Sequence, residues 1–228
     1  LGVKADEDGV LVTNVLRRSP AQGSGIRNGD RIVAIEGEEV SSLREVQRVV
    51  RAQDATAKIE VTVERDGARL ALPFQLAPMP DPETVVQRHL VGFEAPDFEF
   101  RYIGDGKLGR LSALEGRPTV IDFWATWCGP CHKAQRELAE VKKQYGDRVN
   151  FLGVSSESAA TVSAHLGKYP ALYAMATDPG GAAHSAFAIA SFPTLVVLDA
   201  DRRVAAVIFG ANHREVLEKK LASLIATP

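Results

Sequence analysis

The chain has 228 residues, of which 45% are hydrophobic and 25% are charged, and its formal net charge is −2. A chain of this length can bury the core of one large domain or of two small ones. The near-neutral charge provides no electrostatic basis for binding nucleic acid or an anionic membrane, and no stretch approaches the ~20 apolar residues of a membrane-spanning helix.

Residues 1–77 show the pattern of a small β-rich domain. The predicted strands combine β-branched or alternating apolar residues with flanking turn residues, at 9–15, 31–35, 59–63 and 70–74. Ser19 and Pro20 provide the N-cap and the first-turn proline of a short helix. A second helix is predicted over 42–52, because Val46, Val49 and Val50 recur at helical spacing.

A proline-rich segment separates this region from the rest of the chain. Residues 77–82 contain three prolines, which disfavour both helix and sheet and stiffen the chain as a spacer. We therefore predict a linker at 78–90 that carries the domain boundary. Residues 83–90 are compatible with a short helix, and the sequence leaves open which domain that helix joins.

Residues 91–228 show an α/β pattern. The predicted strands are apolar runs bounded by turn residues, at 98–103, 119–124, 148–154, 171–176, 195–198 and 204–208. The predicted helices are a long one ending near Tyr145 and three others at 159–166, 182–188 and 214–225. The last two strands flank the turn at 199–202, which predicts an antiparallel hairpin. The last helix is expected to cover one face of the sheet.

The segment from Trp124 to Cys131, WATWCGPC, holds the only two cysteines of the chain, where an apolar strand gives way to a helix. Cysteines at this spacing lie close enough for a disulfide, and a helix N-terminus favours the thiolate of the first one. Cys128 is therefore the predicted nucleophile, and Cys131 is the predicted resolving thiol that attacks the mixed disulfide with a substrate. Gly129 leaves room for a partner's backbone, and Pro130 fits the first helical turn.

Three other interpretations of the cysteines remain open. A purely structural disulfide is one, although closing so short a loop constrains little of the unfolded chain, and the flanking tryptophans look exposed. A zinc site is another, but zinc requires about four ligands, the chain has no second cysteine pair, and His132 would point elsewhere on a helix. Two incidental buried cysteines would not need the surrounding Trp, Gly and Pro. The redox pair is the preferred interpretation.

Residues 19–40, SPAQGSGIRNGDRIVAIEGEEV, strongly resemble a PDZ domain of the bacterial HtrA-protease type, and the resemblance covers nearly all of residues 1–77. It implies that a peptide, usually a C-terminal one, adds as a strand at the domain edge beside the second helix. The residues that it assigns to peptide binding are Leu1, Gly2, Val3, Val46 and Val50. The first three would form a loop whose backbone N–H groups receive the terminal carboxylate. The two valines line the groove unless they belong to the core, as valines on an apolar helix face more often do.

A second resemblance rests on the segments GFEAPDF (92–98), LSALEGRP (111–118) and FWATWCGPC (123–131). They are similar to the lead-in and active site of TlpA/ResA-like thiol-disulfide oxidoreductases, over roughly residues 91–228. This implies an α/β thioredoxin-like domain, with a central mixed sheet flanked by helices and a redox-active disulfide between Cys128 and Cys131. The expected fold is such a domain preceded by a small β-rich PDZ domain.

Two further positions match the thioredoxin-like pattern. Residues 191–194, SFPT, match the cis-proline loop, so Pro193 is expected to follow a cis peptide bond and to face the cysteine pair. Asp122, six residues before Cys128, matches the buried carboxylate of thioredoxin. Its pKa is expected to be raised, and it is expected to exchange a proton with Cys131. The alternative is that Asp122 points to solvent at a strand end.

The resemblance assigns substrate contacts to Trp127, Gly129, Pro130, Phe192 and Thr194. The chain departs from thioredoxin in one respect: no lysine lies between Arg148 and Lys168 to act as the partner of Asp122, so that carboxyl is expected to titrate with less help. The five histidines, at 89, 132, 165, 184 and 213, lack metal-ligand spacing and are expected on the solvated surface, where only His132 would influence Cys128. No metal or cofactor is predicted.

These expectations describe a PDZ module that holds a partner by its C-terminal peptide and a thioredoxin-like module that exchanges disulfides in protein or peptide substrates. The Gly-Pro pair between the cysteines resembles reducing members, so we predict a reductase, supplied by an electron donor that the sequence does not identify. Both families imply an extracytoplasmic location, in a bacterial periplasm. Because the chain starts at Leu1 without a signal-peptide pattern, any membrane anchor is expected only in a preceding segment.

Two other functions remain open. One is a scaffold in which the PDZ groove is active and the thioredoxin fold is only structural, although the intact Cys-Gly-Pro-Cys sequence argues against it. The other is a thiol peroxidase of the peroxiredoxin type. That chemistry expects a threonine three residues before the reactive cysteine, where this chain has Ala125.

Overall fold

The computed structural model describes residues 2–6 and 9–226 of the chain. The chain divides into two compact units, Leu1–Asp81 and Pro82–Pro228. The division falls inside the predicted linker. Among the described helices, none has the length and apolar character needed to cross a membrane.

The first unit consists of an antiparallel six-stranded sheet together with two helices. The strands are β1 (Gly2–Asp6), β2 (Gly9–Asn14), β3 (Arg31–Ile35), β4 (Glu38–Glu39), β5 (Lys58–Arg65) and β6 (Ala68–Gln75). They lie in the order β1-β2-β3-β5-β6, with β4 paired to β3. The helices are α1 (Pro20–Gly23) and α2 (Leu43–Arg51).

Local signals start both helices of the first unit where the sequence predicts. The Ser19 hydroxyl accepts a hydrogen bond from the backbone N–H of Gln22, and Ser42 and Glu45 form a reciprocal capping box at the start of α2. Val49 of α2 is buried against the sheet. The first unit therefore has its own apolar core between α2 and the strands.

The second unit contains a seven-stranded mixed sheet, in the order β13-β12-β9-β10-β11-β7-β8. Its strands are β7 (Glu99–Tyr102), β8 (Leu108–Arg110), β9 (Thr119–Phe123), β10 (Asn150–Ser155), β11 (Ala174–Thr177), β12 (Thr194–Leu198) and β13 (Val204–Phe209). Its helices are α3 (Pro82–Leu90), α4 (Gly129–Tyr145), α5 (Ala159–Leu166), α6 (Ala182–Ala186) and α7 (Arg214–Ile225), with 3-10 turns at Leu111–Leu114 and Gly146–Arg148.

The sheet of the second unit is covered on both faces. The central strand β9 is parallel to β10 and antiparallel to β12. Val120 and Trp124 belong to the core on one face, whereas Ile121 and Phe123 belong to the core on the other. A strand that is buried on both faces usually consists of apolar residues throughout. The carboxyl group of Asp122 is therefore unusual within β9.

Residues 82–90, at the end of the segment predicted as a linker, form helix α3 of the second unit. Val86 and Leu90, one turn apart on this helix, are fully buried in the core of that unit. Pro82 is the first residue of this helix, where proline is tolerated, and the burial of the pair on one face favours helix formation. The short helix left unassigned by the sequence therefore belongs with the second unit.

Candidate active site

Two loops meet at one end of the sheet of the second unit. Strand β9 ends at Phe123, and residues 124–128 lead from it into α4. Strand β12 runs antiparallel to β9 and begins at Thr194, which pairs with Phe123. The loop at 191–194 and the cysteine loop therefore lie next to each other, at the same end of these two neighbouring strands.

Cys128 and Cys131 form a disulfide, with their Cα atoms 5.3 Å apart. Cys128 is the N-cap of α4, and its sulfur accepts a hydrogen bond from the backbone N–H of Cys131 at 3.2 Å. Cys131 is wholly buried, whereas Cys128 retains 4% of its surface. In the reduced form, this N–H group and the positive end of the helix favour a thiolate at Cys128.

The two tryptophans beside the cysteines have opposite environments. The expectation that both are exposed is wrong for Trp124, which is fully buried because it continues the inward alternation of β9. Trp127 is 73% exposed, and its ring centroid lies 5.7 Å from that of Phe192. Gly129 and Pro130 are exposed as well. An open surface therefore lies next to the disulfide.

The loop before β12 has a defined backbone conformation. The peptide bond between Phe192 and Pro193 is cis. The Thr194 hydroxyl donates a hydrogen bond to the Ser191 carbonyl at 2.8 Å, and the Pro193 carbonyl accepts one from the Gly210 N–H at 3.0 Å. Pro193 and Thr194 are buried, and Phe192 reaches toward Trp127. This loop thus lies beside the cysteine loop.

Asp122 points into the core, and the alternative of a solvent-facing side chain is wrong. It is 1% exposed, and its Oδ2 accepts a hydrogen bond from the Tyr173 hydroxyl at 2.8 Å. Burial raises the pKa of Asp122 to about 7, although the nearby side chains of Tyr173 and Gln135 act to lower it. The carboxyl group can therefore gain or lose a proton near neutral pH.

The sequence model of the Redoxin family matches residues 90–225, which is more than half of the chain. The chain belongs to the Redoxin family. A PDZ domain model matches residues 1–76. The second unit is called the redoxin unit below, and the first is called the PDZ unit.

Relatives and solved structures resemble this Redoxin-family chain over the redoxin unit. Thiol-disulfide oxidoreductase ResA of Bacillus anthracis is 28% identical over 136 residues, covering 59% of this chain and 78% of the relative. A Chlorobium tepidum structure, described as a candidate thiol:disulfide interchange protein DsbE, is 25% identical with a TM-score of 0.56, covering 60% of this chain and 98% of its own. The exposed lipoprotein thioredoxin of Streptococcus pneumoniae is 26% identical with a TM-score of 0.51, covering 57% and 100%. The predicted fold class is confirmed.

Glu157 anchors the cysteine loop of the redoxin unit. Both the backbone N–H and the hydroxyl of Thr126 donate hydrogen bonds of 2.7 Å to its carboxylate, and the Ser155 hydroxyl donates another at 3.1 Å. These contacts tie the segment before Cys128 to the end of β10. Sequence reasoning missed Glu157, because it lies 31 positions from Thr126 and no motif links the two.

The prediction that the histidines are solvated is wrong, because all five are at least partly buried. His132 stacks on the ring of Tyr169 at a centroid distance of 5.4 Å, and His165 lies 5.0 Å from each of these rings. Burial and the neighbouring His132 lower the pKa of His165. Spacing along the chain does not reveal such packing between α4 and α5. No group of three or more His, Cys, Asp or Glu residues suited to holding a metal ion occurs in the described part of the chain.

The residues predicted to bind a peptide lie in the PDZ unit. Gly2 and Val3 are part of the edge strand β1 and not of a loop, because they pair with β2 across a register shift. Leu1 lies outside the described residues. Val46 and Val50 are half-buried and pack against the core of the unit. A role for any of these residues in peptide binding stays a prediction.

Proposed function

We propose that this chain reduces disulfide bonds of protein substrates through the Cys128–Cys131 couple, and that the PDZ unit recruits the partner. The coarser assignment, a thiol-disulfide oxidoreductase, rests on membership of the Redoxin family and on relatives such as ResA. The observation that carries the proposal is the disulfide at the N-terminus of α4, with the Cys131 N–H directed at the Cys128 sulfur.

The proposed reaction begins when the Cys128 thiolate attacks a substrate disulfide and forms a mixed disulfide. The Asp122 carboxylate then accepts the thiol proton of Cys131. The resulting thiolate attacks the sulfur of Cys128, which forms the intramolecular disulfide and releases the substrate in its reduced form. An electron donor, which the chain does not identify, must then return two electrons to the couple.

The proposed substrate surface combines the exposed residues of the cysteine loop with the cis-proline loop. Trp127 offers a large exposed ring, and Phe192 packs edge-on beside it. Gly129 allows close approach of a backbone, and Pro130 shapes the first turn of α4. Thr194 fixes the cis-proline loop through its hydroxyl. Pro193 would present this loop to an extended substrate segment.

The reduction potential of the couple tests the direction of the proposed reaction. Because a Gly-Pro pair separates the cysteines, we expect a potential nearer to thioredoxin, at about −270 mV, than to the oxidant DsbA, at about −120 mV. Equilibration with glutathione or dithiothreitol buffers, followed by mass spectrometry, measures it, and insulin reduction measures the activity. A value near that of DsbA contradicts a reductase. The absence of a redox-active couple favours the scaffold, and peroxide turnover without a disulfide partner favours the peroxidase.

Recruitment by the PDZ unit is supported by the position of β1 at the end of the strand order of its sheet, where an extended peptide can add as a further strand. Helix α2 contributes Val46 and Val50 on its core side and Arg44 and Arg51 on its exposed side. A C-terminal carboxylate is the proposed anchor of the partner. Tethering raises the effective concentration of a bound chain near the dithiol.

Removal of residues 1–81 is expected to slow the reduction of only those substrates that the PDZ unit binds. The probe is a disulfide-containing peptide that ends in a sequence selected for binding to the PDZ unit, with the C-terminally amidated peptide as the matched control. We expect its reduction at limiting concentration to fall about tenfold or more on truncation, with insulin reduction unchanged. Equal rates for the full and truncated chains would contradict recruitment.

We also propose an extracytoplasmic location. The support comes from relatives, among them the exposed lipoprotein thioredoxin and the candidate DsbE protein, both similar to the redoxin unit. Fractionation of cells that produce the natural protein tests this location, and recovery in the cytoplasm alone would contradict it.

A further inference from the structure

Tyr173 reaches the buried carboxyl group of Asp122 from a strand that is not adjacent to it. Strand β10 lies between β9 and β11, and its Gly153 pairs with Asp122 on one side and with Met175 on the other. Gly153 has no side chain, and a Cβ atom there would lie only 2.2 Å from the Met175 sulfur. The Tyr173 side chain crosses this strand to place its hydroxyl 2.8 Å from Asp122 Oδ2.

The environment of Asp122 contains few other groups that can titrate. The groups around it on this face of the sheet are Gln135 on α4, Gly153 on β10, Leu195 on β12, and Met175 and Tyr173 on and just before β11. Cys131 of α4 belongs to the core on the same face. None of these is a lysine, arginine or histidine. Apart from the cysteines, Tyr173 is the titratable group of this set. Its hydroxyl therefore stabilises the ionised carboxylate of Asp122, a role for which the sequence offers no lysine.

The two oxygens of the carboxyl group differ in their contacts. Oδ2 accepts the Tyr173 hydrogen bond, whereas Oδ1 is buried and has no hydrogen bond of good geometry with any described residue, although the Gln135 side chain lies near enough to favour the carboxylate. Tyr173 is itself 6% exposed, and burial together with the charge of Asp122 raises its pKa well above the usual value. The hydroxyl therefore remains a donor at neutral pH. Its hydrogen bond favours the ionised carboxylate over the neutral acid.

We propose that Tyr173 is a positioning residue that holds Asp122 as a proton acceptor for Cys131, with Oδ1 as the oxygen that takes the proton. The proposal rests on the proposed role of Asp122. In the resolving step, the proton leaves the Cys131 thiol for Oδ1, and the new thiolate forms a bond to the Cys128 sulfur. The bond between Cys128 and the substrate sulfur breaks, and the substrate leaves as a thiolate.

Tyr173→Phe tests this role, because it removes the hydroxyl and keeps the ring. The Asp122 carboxyl should then titrate about one unit higher, as read by carbon-13 NMR of its carboxyl carbon in the oxidised protein. From a pKa of about 7, such a shift leaves about fivefold less carboxylate at pH 7, so resolution of the mixed disulfide should slow about fivefold there and recover above about pH 9. An unchanged Asp122 titration together with an unchanged pH profile would overturn the proposal.

Tyr145→Phe is the matched control within the redoxin unit. The Tyr145 hydroxyl also donates a hydrogen bond from a largely buried ring, to the Glu218 carbonyl at 3.1 Å, but it does not contact Asp122. This variant should leave the titration of Asp122 unchanged. If Tyr173→Phe does not fold, 3,5-difluorotyrosine can be introduced at position 173 only. It keeps the contact with Asp122 but donates a stronger hydrogen bond, so the Asp122 titration should move to lower pH. No movement would again overturn the proposal.

Asp122→Asn separates this proposal from the proposed function. Suppose that Asp122→Asn removes the pH dependence of the rate at which the mixed disulfide is resolved, and that Tyr173→Phe does not shift this pH dependence. Then only the role of Tyr173 fails. If Asp122→Asn leaves the pH dependence intact, the proton role of Asp122 fails, and the role of Tyr173 fails with it. The double variant should behave like Asp122→Asn alone, since the hydroxyl acts through the carboxylate. Additive effects in the double variant would contradict that route.

Discussion

Replacing Cys131 with serine is expected to leave a chain that attacks substrate disulfides and then stops. Cys128 keeps its place as the N-cap of α4, so its thiolate still forms the mixed disulfide. The buried residue that would release the substrate is now a hydroxyl, which cannot complete thiol-disulfide exchange. Turnover should fall by roughly a thousandfold or more, because nucleophile and resolving thiol act as a unit. Insulin reduction measures this loss.

The trapped intermediate gives this prediction a positive signal. Because Cys128 and Cys131 are the only cysteines, any covalent adduct of Cys131→Ser must be at Cys128. Non-reducing electrophoresis or mass spectrometry should detect an adduct that dithiothreitol removes. Cys128→Ser is the matched control and should lose activity without trapping substrate. Adducts in Cys128→Ser but not in Cys131→Ser would reverse the two assignments.

Replacing Asp122 with asparagine is expected to stabilise the oxidised protein at alkaline pH while slowing its reaction. Burial raises the pKa of Asp122 to about 7 in the folded protein, against an ordinary value of 3.8. Between these values the folded state binds more protons than the unfolded state, so the free energy of unfolding falls as pH rises from about 4 to 7. A difference of roughly three units corresponds to about 4 kcal/mol, all of which is lost above pH 7.

Asparagine is close to aspartate in shape, keeps an acceptor for Tyr173 and cannot ionise. The variant should therefore be more stable than the wild type by up to about 4 kcal/mol at pH 8, and nearly equal to it at pH 4. Urea unfolding of the oxidised proteins at both pH values measures the difference. Since the proton acceptor is gone, turnover at pH 7 should fall by about a hundredfold. Equal stability of the two proteins at pH 8 would contradict an ionised, buried Asp122.

Asp178→Asn provides a matched control in the same unit. Asp178 is also buried, but its two carboxylate oxygens accept hydrogen bonds from the backbone N–H groups of Ala182 and Ala183, at 3.1 and 2.7 Å. Removing a charge that is stabilised in this way should not raise the stability at pH 8. A carboxyl group that lowers stability, as expected for Asp122, is typical of a functional site.

Elements with strong local signals were predicted closely. The strand at 31–35 and the helices at 159–166 and 214–225 have the bounds predicted from the sequence. Strands β4 and β8 were missed, since strands of two or three residues depend on their partners for stability. Gly2 and Val3 of strand β1 were expected in a loop, because their pairing with β2 is not a property of these residues alone.

The sequence by itself determined the dithiol and its place between a buried strand and a helix N-terminus, because these depend on residues that are adjacent in the chain. The cis-proline segment was expected only through the resemblance to thioredoxin-like proteins. Only the tertiary structure decided which side chains support these groups. Tyr173 lies 51 positions from Asp122, and Glu157 lies 31 positions from Thr126. The order of the strands, with β10 between β9 and β11, brings the first pair together, and the end of β10 holds the second. Contacts of this kind leave no local pattern, because they depend on how separate strands align across the sheet.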